Sequence, residues 1–355
     1  MVNSNKKQVV IGISSLLKPV NDVRMYEKFA LGIAKHTDFS VEVIGFASDK
    51  LPETSKIKFH SLFSFQRLSW KRLLAGLDFY KKILQLKVDV SICNSTDLQL
   101  FNSIYRIIFG KKIIYDIREN YLYNIFYLDN FSWFLKGSLG CLYRMKEWLV
   151  SGWNSCFFIA ERSYKRQLPF LGNKSILLEN KLAIDSSVAL LKDKNHRANR
   201  AIVCGTISKG YGLYQVLKWA EEQYAQNKSF KLVISGMCPL ESDFIYLGNI
   251  LASASFIELN ISRKPKPHRE ILDDLLRCEK GLLLYPENKG FVECVPTKLY
   301  EFLHYQVDIV SGRNLFWCKL VELYSYPLFA KDYSDLYWDN EIYLLNKVLM
   351  NITNL

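Results

Sequence analysis

Two glutamates, Glu293 and Glu301, stand with seven residues between them in the stretch E-N-K-G-F-V-E-C-V-P-T-K-L-Y-E-F-L-H-Y-Q-V-D-I-V over 287–310. Ionised carboxylates only accept hydrogen bonds, so a pair of them can grip hydroxyl donors. Taken without context, two such glutamates read as a solvated loop residue and a solvated helix residue. A second group is G-T-I-S-K-G over 205–210, where Lys209 sits among Gly205, Thr206 and Gly210. A fixed cation beside a helix start suits an anion. A third is D-I-R-E-N over 116–120, which brings Asp116, Arg118 and Glu119 together. Arginine there can donate hydrogen bonds but cannot serve as a neutral donor or a base.

Each group follows an apolar run that reads as a buried strand. Residues 281–285, Gly-Leu-Leu-Leu-Tyr, end at Pro286 and lead into the glutamate loop. Pro296 suits the first turn of the next helix, where its missing N–H costs nothing. Leu299, Phe302 and Leu303 give that helix one apolar face, and 307–310 reads as the strand after it. Residues 201–217 read as strand, glycine loop and helix, with further strands at 230–236 and 256–260 and a helix at 273–278. The two prolines of 263–269 argue for a loop, with His268 at the surface. In the first half, a strand at 8–13, a loop at 14–21, a helix capped by Asp22 and a strand at 39–46 form a Rossmann-like opening. Strands follow at 88–93, 112–115, 155–160 and 175–180, with 94–97 as a loop. The opening lacks G-x-G-x-x-G, so no dinucleotide cofactor is expected. In open α/β sheets the loops after strand ends line the ligand crevice, and all three polar groups fall in such loops.

The run P-T-K-L-Y-E-F-L followed by an apolar strand resembles the nucleotide-sugar site of retaining glycosyltransferases of the GT-B fold, the large family 4 and its relatives, which carry a Glu-x7-Glu element in this setting. The resemblance extends in order along most of the chain. The D-V-R-x-Y helix start at 22–26 is similar to the family's first helix. The segment Y-D-I-R-E over 115–119 resembles its Y-D-x-H-E, with Arg118 in the histidine position. L-E-N over 178–180 resembles the end of its first domain, and G-T-I-S-K-G its diphosphate loop, with Lys209 matching the lysine and Thr206 standing where arginine is frequent. The resemblance implies an α/β fold of GT-B architecture, two Rossmann-like domains facing across a cleft: 1–182 for the acceptor, a linker at 183–199, 200–335 for the donor, and a last helix at about 336–355 packing back on the first domain. It implies a metal-independent retaining transfer, with no cofactor beyond a UDP- or GDP-linked sugar as substrate. Glu293, Lys209 and Arg118 would be catalytic. Glu301 would hold the ribose hydroxyls, with Thr206, Gly205, Gly210, Lys298, Thr297 and Pro296 also binding the donor, and Met237 and Cys238 reaching the base. Asp116 and Glu119 would line the cleft. The departures at Arg118 and Thr206 keep open an alternative, a non-catalytic GT-B binding subunit.

The composition, 49% hydrophobic and 23% charged over 355 residues, suits two globular domains. Eight cysteines are scattered singly, without zinc spacing, and read as buried residues of a reducing cytoplasm. No signal peptide or membrane-spanning run is expected. The net charge is +12; residues 1–180 hold 26 Lys and Arg against 15 Asp and Glu, and the remainder 21 against 20. The first half therefore has an anionic partner in view. The candidates are a lipid-linked or other saccharide acceptor and an anionic membrane surface, with the protein cytoplasmic or peripheral on the inner face of the cell membrane. Nucleic acid is not expected, for want of a module or stacking strip. Residues 67–82 form a basic amphipathic helix that fits either an anionic bilayer or ordinary packing. Residues 131–153, with Lys136, Arg144 and Lys146, read as a membrane or partner face or, preferably, as a core-packed helix with Trp148 buried.

Overall fold

The computed structural model describes residues 8–48, 55–65, 69, 71–127, 132–182, 197, 199–251, 254–325 and 336–353. Two compact units emerge: Met1–Leu122 with Ser138–Ile184 and Tyr337–Leu355, and Tyr123–Gly137 with Asp185–Leu336. Nearly all of the linker expected at 183–199 lies outside the described residues, as do Arg67 and Trp70 of the basic helix.

The first unit is built from β1 (Val10–Pro19), α1 (Leu31–His36), β2 (Ser40–Phe46), β3 (Ile57–Phe63), α2 (Lys71–Gln85), β4 (Val90–Cys93), α3 (Thr96–Phe109) and β5 (Lys112–Ile117). α4 (Tyr121–Tyr127) and α5 (Trp133–Ser151) follow, with most of α4 and the start of α5 as far as Gly137 assigned to the second unit, and then β6 (Cys156–Ile159), α6 (Tyr164–Gln167) and β7 (Ser175–Leu177). The seven strands form one parallel sheet in the order β3-β2-β1-β4-β5-β6-β7. Its central strands, such as β1, β2, β4 and β6, are buried on both faces, the reason they are rich in apolar residues. One face packs Phe29, Ile33, Val41 and Ile92 with Trp338, Leu345 and Leu349; the last two belong to α12 (Asp339–Thr353). The other packs Ile44, Phe79, Ile83, Leu98 and Tyr105.

The second unit runs β8 (Arg200–Thr206), α7 (Leu213–Gln226), β9 (Lys231–Met237), α8 (Glu241–Leu251), β10 (Ile257–Ser262) and α9 (His268–Leu275). β11 (Lys280–Leu282), α10 (Thr297–His304), β12 (Asp308–Val310) and α11 (Leu315–Ser325) complete it. Its five parallel strands have the order β10-β9-β8-β11-β12. Ile234, Leu217 and Leu247 fill one face, and Leu275, Leu299, Phe302 and Trp317 the other.

Several expectations are corrected. β1 continues through a register shift to Pro19 instead of ending in a loop at Ser14, because pairing with β2 resumes at Phe46. The capped helix begins as a π-helical turn, Arg24–Ala30, with Asp22 accepting the Met25 N–H at 3.1 Å. α3 starts at Thr96, inside the expected loop. α9 begins at His268, directly after Pro267, which supplies its N-cap. Pro296 likewise is the N-cap of α10, one residue before its first turn. Trp148 is not buried but 63% exposed: α5 turns Gly140, Glu147 and Val150 inward.

Candidate functional site

The second sheet delivers most of the proposed donor residues to the carboxyl ends of its strands. β8 ends at Gly205-Thr206, where Gly205 adopts φ +100° and Gly236 on β9, φ +142°. Neither position has room for a side chain. A Cβ on Gly236 would strike the Gly205 carbonyl, and one on Gly205 would strike the Lys298 ammonium. Lys298 of α10 therefore rests on the glycine end of β8, uniting two segments that are distant in sequence. Burial alone would lower its pKa, but Tyr285, Cys204 and Glu301 raise it, so Lys298 is a firm cation.

Glu301, one turn further along α10, is 7% exposed and lies on the inward side with Leu299, Tyr300 and Phe302. His268 Nε2 stands 3.0 Å from its Oε1. The pair joins the first residue of α9 to α10 and fixes the carboxylate's orientation. His268 keeps the surface exposure expected of it, 36% for its side chain, and is also a partner of the best-supported glutamate. The weak signal was its place at a helix start after Pro267. α9 itself is anchored by buried Asp274, which accepts hydrogen bonds from Ser235 Oγ (2.6 Å) and Asn260 Nδ2 (2.5 Å).

The loop holding Glu293 is pinned on both sides. Phe291 stacks on Tyr285 with centroids 5.1 Å apart, and the Cys294 carbonyl accepts the Trp317 indole N–H at 2.6 Å. Glu293 is half-buried between them. The aromatic cluster extends to Tyr211, whose ring lies 5.6 Å from Phe291. This ties the loop to the 3-10 turn Lys209–Tyr211 that carries Gly210.

Lys209 is positioned from beneath. Its backbone N–H donates to Asp243 Oδ2 at 3.1 Å, and its ammonium lies 3.9 Å from Asp243 Oδ1 and over the Tyr214 and Tyr246 rings. The Tyr214 hydroxyl chiefly, with the Asp243 charge, raises its pKa. Asp243 is wholly buried and gave no signal in the sequence. α7 and α10 both begin without a side-chain cap, at Gly212 and Pro296, with Thr297 opening α10. Their first N–H groups thus point from the strand-end side of the sheet, where anions are favoured. Cys238, expected to reach a base, is fully buried, its thiol pushed up to about 11 by burial.

Asp116, Arg118 and Glu119 belong to the first unit. Asp116, expected to line a cleft, is 1% exposed and forms the centre of an ion network. Arg24 grips it through Nε (3.1 Å) and Nη2 (2.7 Å) and also donates to the Leu178 carbonyl (2.9 Å) and Asn180 Oδ1 (2.8 Å). Arg118 Nε donates to Asp116 at 3.1 Å and Nη1 to Asp22 at 2.7 Å. Burial opposes Arg118's charge, yet Asp22 and Asp116 raise its pKa. Burial likewise would raise Asp22, but Arg118 and Lys18 hold it below the usual carboxylate value. Arg118 is therefore clamped among carboxylates, an arrangement suited to fixing the strand ends. Glu119 is exposed.

No protein-family model matches the chain, and no curated protein matches it. Among solved structures it is similar to sucrose-phosphate synthase from Thermosynechococcus elongatus, at TM-score 0.66 and 10% identity, covering 98% of this chain and 100% of that one. It is similar to Anabaena HepE in complex with UDP, at TM-score 0.56 and 10% identity, over 98% and 100% of the two chains. UDP-N-acetylglucosamine 2-epimerase from Rickettsia bellii gives TM-score 0.55 and 9% identity, over 98% and 96%. At these identities the likeness shows the fold. The chain is α/β, with two Rossmann-like halves, of the GT-B architecture.

Proposed function

We propose that the chain is a retaining glycosyltransferase that moves a sugar from a nucleotide-sugar donor to a saccharide or lipid-linked acceptor in cell-surface polysaccharide assembly. One observation carries the reading. A buried carboxylate, Glu301, is oriented by His268 and flanked by the Lys298 cation at the glycine end of β8. The likeness to HepE, a structure described with UDP and glucose, supports it.

On this reading Glu301 accepts the donor's ribose hydroxyls and Glu293 its sugar hydroxyls. Lys209, Lys298 and the N–H groups opening α7 and α10 take the diphosphate. Gly205, Thr206 and Gly210 let backbone approach the phosphates, and Pro296 and Thr297 set the start of α10. Breaking the anomeric C–O bond leaves negative charge on the diphosphate. The acceptor oxygen then bonds to that carbon on the face the leaving group vacates, and the acceptor's proton passes to the departing phosphate. Positioned cations stabilise that charge where it develops, a role this reading gives to lysines and not to a metal.

A non-catalytic GT-B binding subunit is the second reading, favoured by the clamping of Arg118 between Asp22 and Asp116. A thermal-shift screen with UDP-, GDP- and CMP-sugars, followed by mass detection of hydrolysis or transfer, separates the two. The transferase reading expects stabilisation of about 2.7 kcal/mol at a hundredfold excess over Kd, with turnover that Glu301→Ala abolishes. Binding without turnover supports the second reading, and stabilisation by no nucleotide sugar overturns both.

A further inference from the structure

The first unit presents an apolar surface that its own core does not use. In α3, Leu98, Asn102 and Tyr105 turn inward, while Leu100, Ile104, Ile107 and Ile108 turn outward, the last two 57% and 60% exposed. Their spacing of i, i+4, i+7 and i+8 makes one stripe along the helix. On α5, Leu142, Met145, Trp148 and Leu149, at i, i+3, i+6 and i+7, form a second exposed stripe, with Trp153 just beyond the helix end.

The two helices are neighbours. Thr96 Oγ1 meets the Tyr143 hydroxyl at 2.6 Å, Lys146 pairs with Asp97 at 2.6 Å, and Arg106 bonds Ser155 near the other end. α2 joins the same layer, its Phe79 and Ile83 packing in one cluster with Leu98 and Tyr105 of α3. Its inward residues are Ala75, Phe79 and Ile83, so Leu74 and Leu77 also face out. Exposed apolar stripes on neighbouring helices of one layer mark an interaction site.

We propose that the outward faces of α3 and α5, fringed by α2, form a ridge that seats in the interface of a bilayer rich in anionic lipid. Charge selects this occupant. α2 carries Lys71, Lys81 and Lys82 against Asp78, beside Arg72, which Asp97 engages, and Lys112 follows α3 next to Lys111, which pairs with Asp89. Asp97 is neutralised by Arg72 and Lys146. The 26 basic against 15 acidic residues of 1–180 would repel a second copy of the same surface and attract anionic headgroups. Tryptophan beside aliphatic residues suits the headgroup boundary. Among the described residues no helix is long and apolar enough to cross a membrane, so the ridge lies in the interface. The proposal does not depend on the donor reading, although a lipid-linked acceptor would be reached from such a surface.

Co-sedimentation with phosphatidylcholine vesicles, with and without about a third phosphatidylglycerol, tests it. The full chain should pellet with the anionic vesicles. Ile104→Ser, Ile107→Ser and Ile108→Ser together should weaken partitioning about tenfold or more. Lys81→Gln with Lys82→Gln should lower the anionic preference about fivefold per lysine. Unfolding midpoints and nucleotide-sugar thermal shifts of the same preparations should stay unchanged, which separates failed docking from a failed donor site. Wild-type protein that stays in the supernatant, or an apolar variant that pellets like wild type, overturns the proposal. So does a concentration-dependent dimer, abolished by the isoleucine changes, in a chain that ignores vesicles.

Discussion

If His268 acts by orienting Glu301, the two residues must fail together. Glu301→Gln keeps the shape of the side chain but removes its charge. Hydrogen bonds to a charged group contribute about 1.5–3 kcal/mol and neutral ones about 1. The change therefore loses about 1 kcal/mol for each ribose hydroxyl held, roughly 2 kcal/mol for two, or about thirtyfold in Kd. His268→Ala leaves the carboxylate charged but deprives it of the contact at 3.0 Å; about 1 kcal/mol, near fivefold, is expected. The double variant should bind no worse than Glu301→Gln, a coupling of about 1 kcal/mol in the cycle. Isothermal titration with the nucleotide sugar giving the largest thermal shift reads all four proteins. Unfolding midpoints report whether Lys298, whose charge Glu301 supports, still sits in a stable fold. Wild-type affinity in Glu301→Gln would remove that residue from the donor site. Strict additivity of the two changes would refute the orienting role of His268.

Two further outcomes concern the first unit. Glu147 is 2% exposed, and burial, outweighing Arg144 and the Tyr115 hydroxyl, raises its pKa from 4.5 to about 7. A raised folded-state pKa means the proton stabilises the fold: the contribution is full below 4.5 and lost as pH rises through about 7. The unfolding free energy of wild type relative to Glu147→Gln should thus fall by about 3 kcal/mol between pH 4.5 and 8 in urea titrations, and parallel pH profiles would contradict it. Arg24→Met leaves buried Asp116 with Arg118 as its remaining cation and should destabilise by about 3 kcal/mol or more; a loss under about 1 kcal/mol in the same assay would mean Arg118 suffices.

Much of the sheet architecture was legible because each signal is local. Strands buried on both faces favour near-continuous apolar runs, as at 9–13 and 281–285, while 88–93 and 230–236 keep enough apolar residues around Asp89, Ser91, Lys231 and Ser235 to read as strands. The helix after Pro296 was legible from one proline and three apolar positions. Helix starts were less so, since proline at 265 and 267 suggested a loop where Pro267 instead caps α9. β3 was hidden because its alternation, I-K-F-H-S-L-F, is that of a half-exposed edge strand.

The sequence by itself determined most of the order of strands and helices, the excess positive charge of the first half, and the candidate polar groups at strand ends. These depend on residue type and on periods of two or 3.6 residues. The tertiary structure decided which polar groups meet. His268 and Glu301 are 33 residues apart, and Arg24 and Asp116 are 92 apart; strand order and register, not spacing along the chain, bring such partners together. It also decided that Lys298 rests on Gly205 and that Trp148 faces out. An amphipathic helix has an apolar face whether it packs on a sheet or on a membrane. Only its place in the layer shows that α3 and α5 keep a second apolar stripe after the core is filled.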